Sequence, residues 1–132
     1  SCLTIGRMRA MIKEKKQEER TVFVLSCDGK TALEKRPDRG LLAGLWQFPN
    51  VPGKLDTPAV LKQVEAFGLK PKEILLQVER KHIFTHIEWH MRGVYVEVQS
   101  YIGDFTWMSE SEIREQAALP TAFRLFLPQE QL

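Results

Sequence analysis

The sequence predicts an α+β fold of the α/β/α sandwich type, with a mixed β-sheet, a central helix and a C-terminal helix. Three observations support this prediction. Short β-branched apolar runs occur in both halves of the chain, one segment near residue 60 has helical spacing, and a capped helical segment follows residue 108. This order of strands, helix, strands and terminal helix is typical of a layered α and β sandwich. At 132 residues, the chain is expected to form one domain with a substantial core.

The first predicted elements form a hairpin. The run TVFVLS at residues 21–26 is β-branched and apolar, which predicts a buried strand. An Asp-Gly pair at residues 28–29 favours a tight turn, and TALEKR at residues 31–36 alternates as the second strand. Residues 1–20 carry six basic groups against three glutamates and lack periodicity, so we expect a basic linker or tail there. The folded domain is then expected to span residues 21–132.

The central helix is predicted to begin at Thr57, as the N-cap, with Pro58 at the first helical position. Gly68 is a natural stop after the last apolar residue. The apolar residues with helical spacing are Val60, Leu61, Val64 and Phe67. This pattern predicts one amphipathic helix that packs on the sheet.

The second half of the chain is expected to complete the sheet. Two or three strands are predicted within residues 73–98, interrupted at residues 92–93, and a last short strand at residues 105–108. Ser109 and Glu112 have the spacing of a capping box, which predicts a short helix through Ala118. A further helical piece is expected at the C-terminal end of the fold, at residues 121–127.

Composition narrows the class of protein. Apolar residues make up 43% and charged residues 27%, as in ordinary globular domains, and the net charge is +2. No apolar stretch approaches the roughly 20 residues of a membrane span, and no signal peptide is recognisable. Cys2 and Cys27 are too few for a disulfide or zinc framework. The protein is therefore expected to be intracellular: cytoplasmic in a bacterium, or nuclear or mitochondrial in a eukaryote.

Three histidines spaced by four lie in KHIFTHIEWHM at residues 81–91, namely His82, His86 and His90. On a helix their rings would stack about 6 Å apart. The segment instead alternates with period two, which predicts one strand, and there neighbouring histidines lie roughly 13 Å apart. No metal site is therefore expected.

The alternation in residues 81–91 predicts two different faces. The expected core face carries Ile83, Ile87, Trp89 and Met91. The opposite face carries His82, Phe84, His86, Glu88 and His90. This second face has two interpretations: a surface that stacks on and hydrogen-bonds to a base, or an ordinary polar sheet face with one incidental phenylalanine.

The segment RPDRGLLAGLWQFPN at residues 36–50 combines a charged strand end with a glycine-hinged apolar run. Pro49 is expected to close the run, because proline lacks the N–H that a central strand needs. Three of its apolar residues are expected in the core: Leu45, Trp46 and Phe48. Arg36 and Arg39 then remain as candidate surface contacts. An alternative is that exposed apolar residues of the 41–48 run dock a protein partner.

A strand, then W-x-F-P, a glycine and a helix ending in Gly-Leu resembles the Nudix family, whose helix glutamates hold magnesium at a pyrophosphate. Aligning residues 68–69 with the end of the Nudix motif tests this resemblance. The arginine and three glutamate positions then fall on Leu61, Lys62, Glu65 and Ala66. A lone carboxylate beside a lysine is a poor magnesium site, and the stretch from Gly53 to the helix is also too short. We expect a Nudix-like frame without a functional motif, with an active Nudix pyrophosphohydrolase acting on oxidised nucleotides as the alternative.

Most of the chain, from about residue 21 to 127, resembles the C-terminal domain of MutY-family adenine DNA glycosylases. The resemblance rests on RPxxGLLAGLWQFP, on Phe84-Thr85-His86, and on FTWMSESEI and ALPTAF near the C-terminus. It implies a Nudix-like domain that recognises 8-oxoguanine opposite adenine in duplex DNA. The implied lesion contacts are Phe84, Thr85 and His86. The family has serine at the middle position, so Thr85 is a departure that affects the detailed fit.

The resemblance also implies a division of labour within a longer protein. MutY-family enzymes remove the mispaired adenine with an N-terminal helical domain, which uses carboxylates and carries an iron–sulfur cluster. That domain is therefore an expected partner, whereas no catalytic residue and no cofactor are expected in this chain. Arg36, Arg39 and Lys81 are candidate contacts to the DNA backbone. A monomer without membrane association is expected.

Overall fold

The computed structural model describes residues 16–40, 42–101, 104–117 and 119–127. Within those residues, a seven-stranded sheet is accompanied by three helices. The strands are β1 (Lys16–Cys27), β2 (Lys30–Lys35), β3 (Trp46–Gln47), β4 (Asn50–Pro52), β5 (Pro71–Ile83), β6 (Ile87–Val98) and β7 (Thr106–Ser109). The helices are α1 (Thr57–Ala66), α2 (Glu110–Gln116) and α3 (Thr121–Arg124). No helix in these ranges is long and apolar enough to cross a membrane.

The parallel pair of β1 and β6 lies at the centre of the sheet. The strand order is β3-β2-β1-β6-β5, with β4 paired to β1 and β7 paired to β2. All of these pairings other than β1 with β6 are antiparallel. Because helices cover both faces of the sheet, a central strand is apolar on both sides, and TVFVL in β1 is buried at every position.

Two apolar cores occupy the opposite faces of this sheet. The first core, beneath α2 and α3, includes Val22, Val24, Leu33, Phe48, Trp89, Met91, Ile113, Phe123 and Phe126. The second core, beneath α1, includes Phe23, Leu25, Ala32, Val60, Val64, Leu69, Val94 and Val96. Neighbouring residues of a strand point to opposite faces, so β1 supplies both cores in alternation. The predicted α+β sandwich is confirmed.

Local turn and cap chemistry is largely as predicted. Asp28 and Gly29 both have positive φ, 49° and 79°, which is the geometry of a two-residue hairpin turn. Ser109 caps α2 in a full capping box, since the Glu112 N–H donates to Ser109 Oγ at 3.3 Å and the Ser109 N–H donates to Glu112 Oε1 at 3.1 Å. Helix α2 ends at Gln116, and residue 118 lies outside the described residues.

The start of α1 differs from the prediction by one residue. Asp56, not Thr57, is the N-cap, and its carboxylate accepts the Ala59 N–H at 3.0 Å. Thr57 and Pro58 are then the first two helical residues. Asp and Thr are both good caps, and the side chain that reaches the third helical N–H decides between them. Gly68 follows the helix with φ 86°, as expected of a C-terminal stop.

Strand β1 begins earlier than the apolar run that predicted it. Residues 16–20 belong to the strand rather than to a tail, because they pair in parallel with the start of β6, from Lys16 opposite Ile87 to Arg20 opposite Met91. The predicted boundary between residues 20 and 21 thus lies inside β1. Residues 1–15, including Cys2, are outside the described part of the chain.

The prediction of one strand through residues 81–91 is wrong. The chain leaves β5 at Ile83, turns at residues 84–86 and returns antiparallel as β6 from Ile87. The reversal breaks the period-two pattern, so Ile83 is 50% exposed and not on the core face, whereas Trp89 and Met91 are buried as predicted.

The expected interruption at Arg92-Gly93 is also absent. Both residues continue β6, where Gly93 lies opposite Val22 of β1 and Val78 of β5. A glycine in a strand suggests either an irregularity or a close approach by another group. Here it is the close approach, because the ring of Phe126 packs over Gly93.

The segment at residues 36–50 is only partly buried. Phe48 is fully buried in the first core, as predicted, and β3 ends at Gln47 before Pro49. Trp46 is half-buried and Leu45 is 37% exposed, so the core prediction is wrong for Leu45. The Arg36 N–H donates to the Leu45 carbonyl at 2.8 Å, which pairs the backbone of Leu45 while its side chain remains at the surface.

Candidate functional site

The predicted contact residues Phe84, Thr85 and His86 form the turn between β5 and β6. The Phe84 N–H donates to the Ile87 carbonyl at 2.7 Å and closes the turn. The Lys16 N–H donates to the His86 carbonyl at 3.1 Å and ties the turn to the start of β1. We call residues 84–86 the recognition turn, after the contact role that the sequence predicts for them. Its side chains at Thr85 and His86 are exposed, whereas Phe84 is half-buried.

Phe84 is anchored by two aromatic rings. Its centroid lies 4.6 Å from the His82 ring and 5.0 Å from the Trp89 indole, with interplanar angles of 72° and 74°. Edge-to-face pairs of this kind are favoured by the ring quadrupoles. Phe84 therefore packs behind the exposed pair instead of standing in solvent with them.

Trp89 connects the recognition turn to the rest of the first core. It is 1% exposed, and its Nε1–H donates to Glu18 Oε2 at 3.1 Å. The guanidinium carbons of Arg20 and Arg36 lie 5.3 and 5.6 Å from the centroid of its ring, within cation–π distance. Glu18 is also an ion-pair partner of Arg20, at 3.6 Å.

A hydrogen-bonded network joins the two arginines beneath the turn. Arg36 Nη1 donates to Gln47 Oε1 at 2.7 Å, and Asn50 Nδ2 donates to the same oxygen at 3.0 Å. Arg20 Nε donates to Asn50 Oδ1 at 2.8 Å. Gln47 Nε2 in turn donates to Glu34 Oε1 at 3.1 Å. Gln47 is a buried polar residue, and these partners satisfy its amide.

Burial shifts the pKa of three charged groups in this network. Desolvation lowers the pKa of Arg20, and the carboxylate of Glu18 opposes that shift. Desolvation also lowers the pKa of Arg36, and the positive charge of Arg20 lowers it further. The carboxylates of Glu18 and Glu34 raise it in part. Desolvation raises the pKa of Glu34, whereas the hydrogen bond from Gln47 and the positive charge of Arg36 lower it in part. Both guanidinium groups remain charged, because arginine is effectively always protonated in proteins.

The three predicted backbone contacts occupy different environments. Arg36 faces inward onto Trp89 and Gln47. Arg39 is exposed in the loop before β3, and Lys81 is exposed near the end of β5, opposite His90 of β6. The structure thus keeps Arg39 and Lys81 at the surface, while Arg36 belongs to the interior network.

The three histidines fall on three different parts of the hairpin: His82 on β5, His86 in the recognition turn and His90 on β6. His90 Nε2 lies 2.7 Å from Glu88 Oε2. Among the residues that the structure describes, no group of three or more His, Cys, Asp or Glu side chains is placed to hold a metal ion. On α1, Lys62 and Glu65 are exposed and Leu61 is half-buried.

Sequence reasoning missed Glu18, Arg20, Gln47 and the central position of Trp89 in this site. Glu18 and Arg20 were assigned to the tail by the charge of residues 1–20. Gln47 alone carried a signal in the sequence, since it is a polar residue within an apolar run. If such a residue is buried, its side chain needs a hydrogen-bonding partner. The identity of that partner depends on tertiary contacts.

A sequence model of the NUDIX domain matches residues 21–129, which is most of the chain. The chain belongs to the NUDIX family. Among curated proteins, human adenine DNA glycosylase is 28% identical over 141 aligned positions, covering 92% of this chain and 26% of the relative. The Arabidopsis thaliana adenine DNA glycosylase is 38% identical over 85 residues, covering 53% of this chain and 13% of the relative. The chain thus spans about a quarter or less of the length of these relatives.

Solved NUDIX structures share the fold. The C-terminal domain of mouse MUTYH, solved in complex with human PCNA, has a TM-score of 0.61 at 24% identity, covering 82% of this chain and 83% of that one. The MutT protein of Methanosarcina mazei Go1 has a TM-score of 0.60 at 20% identity, covering 86% and 91%. Together with the glycosylase relatives, these comparisons confirm the resemblance to the C-terminal Nudix-like domain of the MutY family.

Proposed function

We propose that this chain is the lesion-recognition domain of an adenine DNA glycosylase, which binds 8-oxoguanine opposite adenine in duplex DNA. The observation that carries the proposal is the geometry of the recognition turn. Thr85 and His86 are exposed at the end of a hairpin, while Phe84 is packed on Trp89. Polar side chains on a short turn are suited to contacting a nucleobase when a packed residue holds the turn in position. The MutY resemblance points to the same three residues.

The chemistry of the turn suits the lesion. 8-Oxoguanine differs from guanine by a carbonyl at C8 and a proton at N7. The Thr85 hydroxyl both accepts and donates, so it can accept from N7–H or donate to O8, and the His86 imidazole supplies a neighbouring polar group. One such hydrogen bond discriminates between bases by roughly 1–3 kcal/mol. The methyl group of Thr85 restricts χ1, so its hydroxyl has fewer orientations than the serine of the family.

Affinity for the duplex is proposed to come from surface cations and from a second domain. Arg39 and Lys81 are exposed and are the candidates for phosphate contacts, which position a protein without reading sequence. We assign the removal of adenine to an N-terminal domain of the same protein, which also carries the iron–sulfur cluster. We assign no catalytic residue to this chain. The chain is proposed to act as a monomer.

The alternative function is hydrolysis of an oxidised nucleotide, since this chain has a NUDIX domain and shares its fold with a MutT NUDIX hydrolase from Burkholderia pseudomallei. In the register set by Gly68-Leu69, three of the four charged motif positions are Leu61, Lys62 and Ala66. Glu65 alone supplies a carboxylate, which is the minimum for magnesium at a pyrophosphate, and the positive charge of Lys62, a neighbour on the same helix face, opposes a cation there. We therefore propose that the Nudix motif is not functional in this chain.

The test of recognition is the double substitution Thr85→Ala/His86→Ala in the full-length protein. Binding is measured by fluorescence anisotropy on matched duplexes with 8-oxoguanine or guanine opposite adenine. The preference for 8-oxoguanine is expected to fall about tenfold or more, because about 1–3 kcal/mol of discrimination is lost, with little change on undamaged DNA. Lys81→Ala is the matched control. It is expected to weaken binding to both duplexes equally and to reduce the salt dependence of binding. Equal losses from the double substitution would indicate a general phosphate role instead.

The test of the alternative is incubation of the chain with 8-oxo-dGTP and magnesium. No release of the monophosphate above background is expected. Glu65→Gln serves as the control, since any hydrolysis that it abolishes is due to this chain and not to a contaminant. Rapid hydrolysis that depends on Glu65 would favour the pyrophosphohydrolase function.

A further inference from the structure

The orientation of the Trp89 indole is set by polar groups as well as by apolar packing. Glu18 accepts its Nε1–H at 3.1 Å, and the guanidinium groups of Arg20 and Arg36 lie 5.3 and 5.6 Å from its ring centroid. An indole in a purely apolar core has no such fixed partners. Here the direction of its N–H and the environment of its ring are both specified.

These polar partners are themselves held in place. Arg20 donates to Asn50 at 2.8 Å and Arg36 donates to Gln47 at 2.7 Å, so each guanidinium group is fixed by a side chain other than Trp89. Partial burial is unfavourable for both cations, since desolvation lowers the pKa of each, and the charge of Arg20 lowers the pKa of Arg36 further. Hydrogen bonds to Asn50 and Gln47, and the ion pair of Arg20 with Glu18 at 3.6 Å, hold the two cations in place despite this cost.

The indole transmits that geometry to the recognition turn. Phe84 is the half-buried residue of the turn, and its ring packs edge-to-face on Trp89 at 5.0 Å. Thr85 is bonded directly to Phe84, so a displacement of the Phe84 ring that carries the Phe84 backbone with it alters the direction in which Thr85 and His86 project. Recognition by one or two hydrogen bonds tolerates displacements of only a few tenths of an ångström.

We infer that Trp89, oriented by Glu18, Arg20 and Arg36, is a positioning residue that sets the recognition turn for 8-oxoguanine. It makes no contact with the lesion. Its role is to hold Phe84 in place. Phe84 in turn holds the hydroxyl of Thr85 at the position from which it contacts the oxidised base. This inference rests on the proposed function and assigns Arg36 to the positioning of the turn rather than to a phosphate contact.

The first experiment is Trp89→Phe, which retains an aromatic ring but removes the N–H donor and part of the cation–π surface. The preference for the 8-oxoguanine duplex over the guanine duplex is expected to fall about tenfold, because the hydrogen bond that discriminates the two bases is weakened. Affinity for undamaged DNA is expected to remain unchanged. In NMR spectra of the chain, the amide signals of Thr85 and His86 are expected to shift.

A second variant and a control separate positioning from general stability. Glu18→Ala leaves the indole in place but removes its acceptor, so it is expected to change the preference in the same direction by a smaller factor. Trp107→Phe is the matched control, because that ring packs on the second core and on Tyr101 at 5.2 Å, on the other side of the sheet. It is expected to retain the parental preference and the parental turn signals.

The outcomes distinguish this inference from the function on which it rests. If Thr85→Ala/His86→Ala abolishes the preference while Trp89→Phe and Glu18→Ala both retain it, the positioning role is overturned and the recognition function stands. If Trp107→Phe lowers the preference as much as Trp89→Phe, the effect is one of general destabilisation, and the positioning role is again rejected. If the double substitution itself changes nothing, the recognition function fails and the inference fails with it.

Discussion

Gly93 is the position at which a single added methyl group is expected to disturb the fold most directly. A Cβ placed on Gly93 would lie 2.4 Å from Cε1 and 2.5 Å from Cδ1 of Phe126, and 3.0 Å from Cγ2 of Val78. Ordinary van der Waals contact begins near 3.4 Å, so Gly93→Ala requires the Phe126 ring to recede by about 1 Å. The perturbation is one of space, because Gly93 lies in regular strand pairing on both sides.

Phe126 has little freedom to move by that amount. Its ring lies 6.5 Å from the Phe48 ring, edge-to-face, and its backbone carbonyl accepts the Tyr95 hydroxyl at 2.6 Å. Overpacking of a well-filled core typically costs about 1–3 kcal/mol. At about 2 kcal/mol, and with roughly 2–8 °C per kcal/mol for domains of this size range, the expected decrease in Tm is of the order of 8 °C.

The assay is urea or thermal unfolding followed by circular dichroism, with Gly93→Ala, Phe126→Leu and the double variant measured together. Leucine at position 126 is smaller and gives the new methyl group room, so the double variant is expected to be more stable than the sum of the two single losses predicts. A Gly93→Ala protein within about 0.5 kcal/mol of the parent, a range typical of neutral surface changes, would refute the packing argument. If the double variant loses the sum of the two single losses in free energy of unfolding, the destabilisation by Gly93→Ala does not arise from contact with Phe126.

Two further predictions concern the helix caps. Asp56→Ala removes the acceptor of the Ala59 N–H and is expected to lower the free energy of unfolding by about 1 kcal/mol, whereas Asp56→Ser retains the cap and most of the stability; equal losses in urea titrations would contradict capping. For Glu112, hydrogen bonds from the backbone and side chain of Ser109 lower the pKa of the carboxyl, so its stabilisation is present above the unfolded pKa and is lost as the pH falls through the folded one. Glu112→Gln is therefore expected to be less stable than the parent at pH 7, and the gap is expected to close only as the pH falls below the ordinary glutamate pKa of about 4.3 and through the lowered pKa of the folded state. A stability gap that persists unchanged at the acid end of the titration would exclude the ionised cap as its cause.

The elements that local pattern predicts well are those whose signals lie within a few residues. The Asp28-Gly29 turn, the capping box at Ser109 and the stop at Gly68 all appear where the sequence predicts them. Each depends on the conformational preferences or hydrogen bonds of neighbouring residues, which a short window of sequence contains. The same holds for Phe48, whose burial follows from its place in an apolar run.

Predictions failed where a distant segment decides the structure. Residues 16–20 are polar and resemble a tail, yet parallel pairing with β6 makes them a strand. The alternation through residues 81–91 resembles one strand, but the chain reverses in its middle, which exposes Ile83. Gly93 looked like a strand interruption, whereas its small size is needed by Phe126, 33 positions further along the chain.

By itself, the sequence determined the fold class and the family, and it predicted Phe84, Thr85 and His86 as candidate contacts, because these inferences rest on local propensities and on contiguous motifs. The tertiary structure decided how that turn is held: Thr85 and His86 exposed, Phe84 anchored, and Trp89 fixed by Glu18. Glu18 and Trp89 are 71 residues apart, and β1 and β6 bring them side by side. No local pattern encodes that contact, since it depends on which strands pair and in what register.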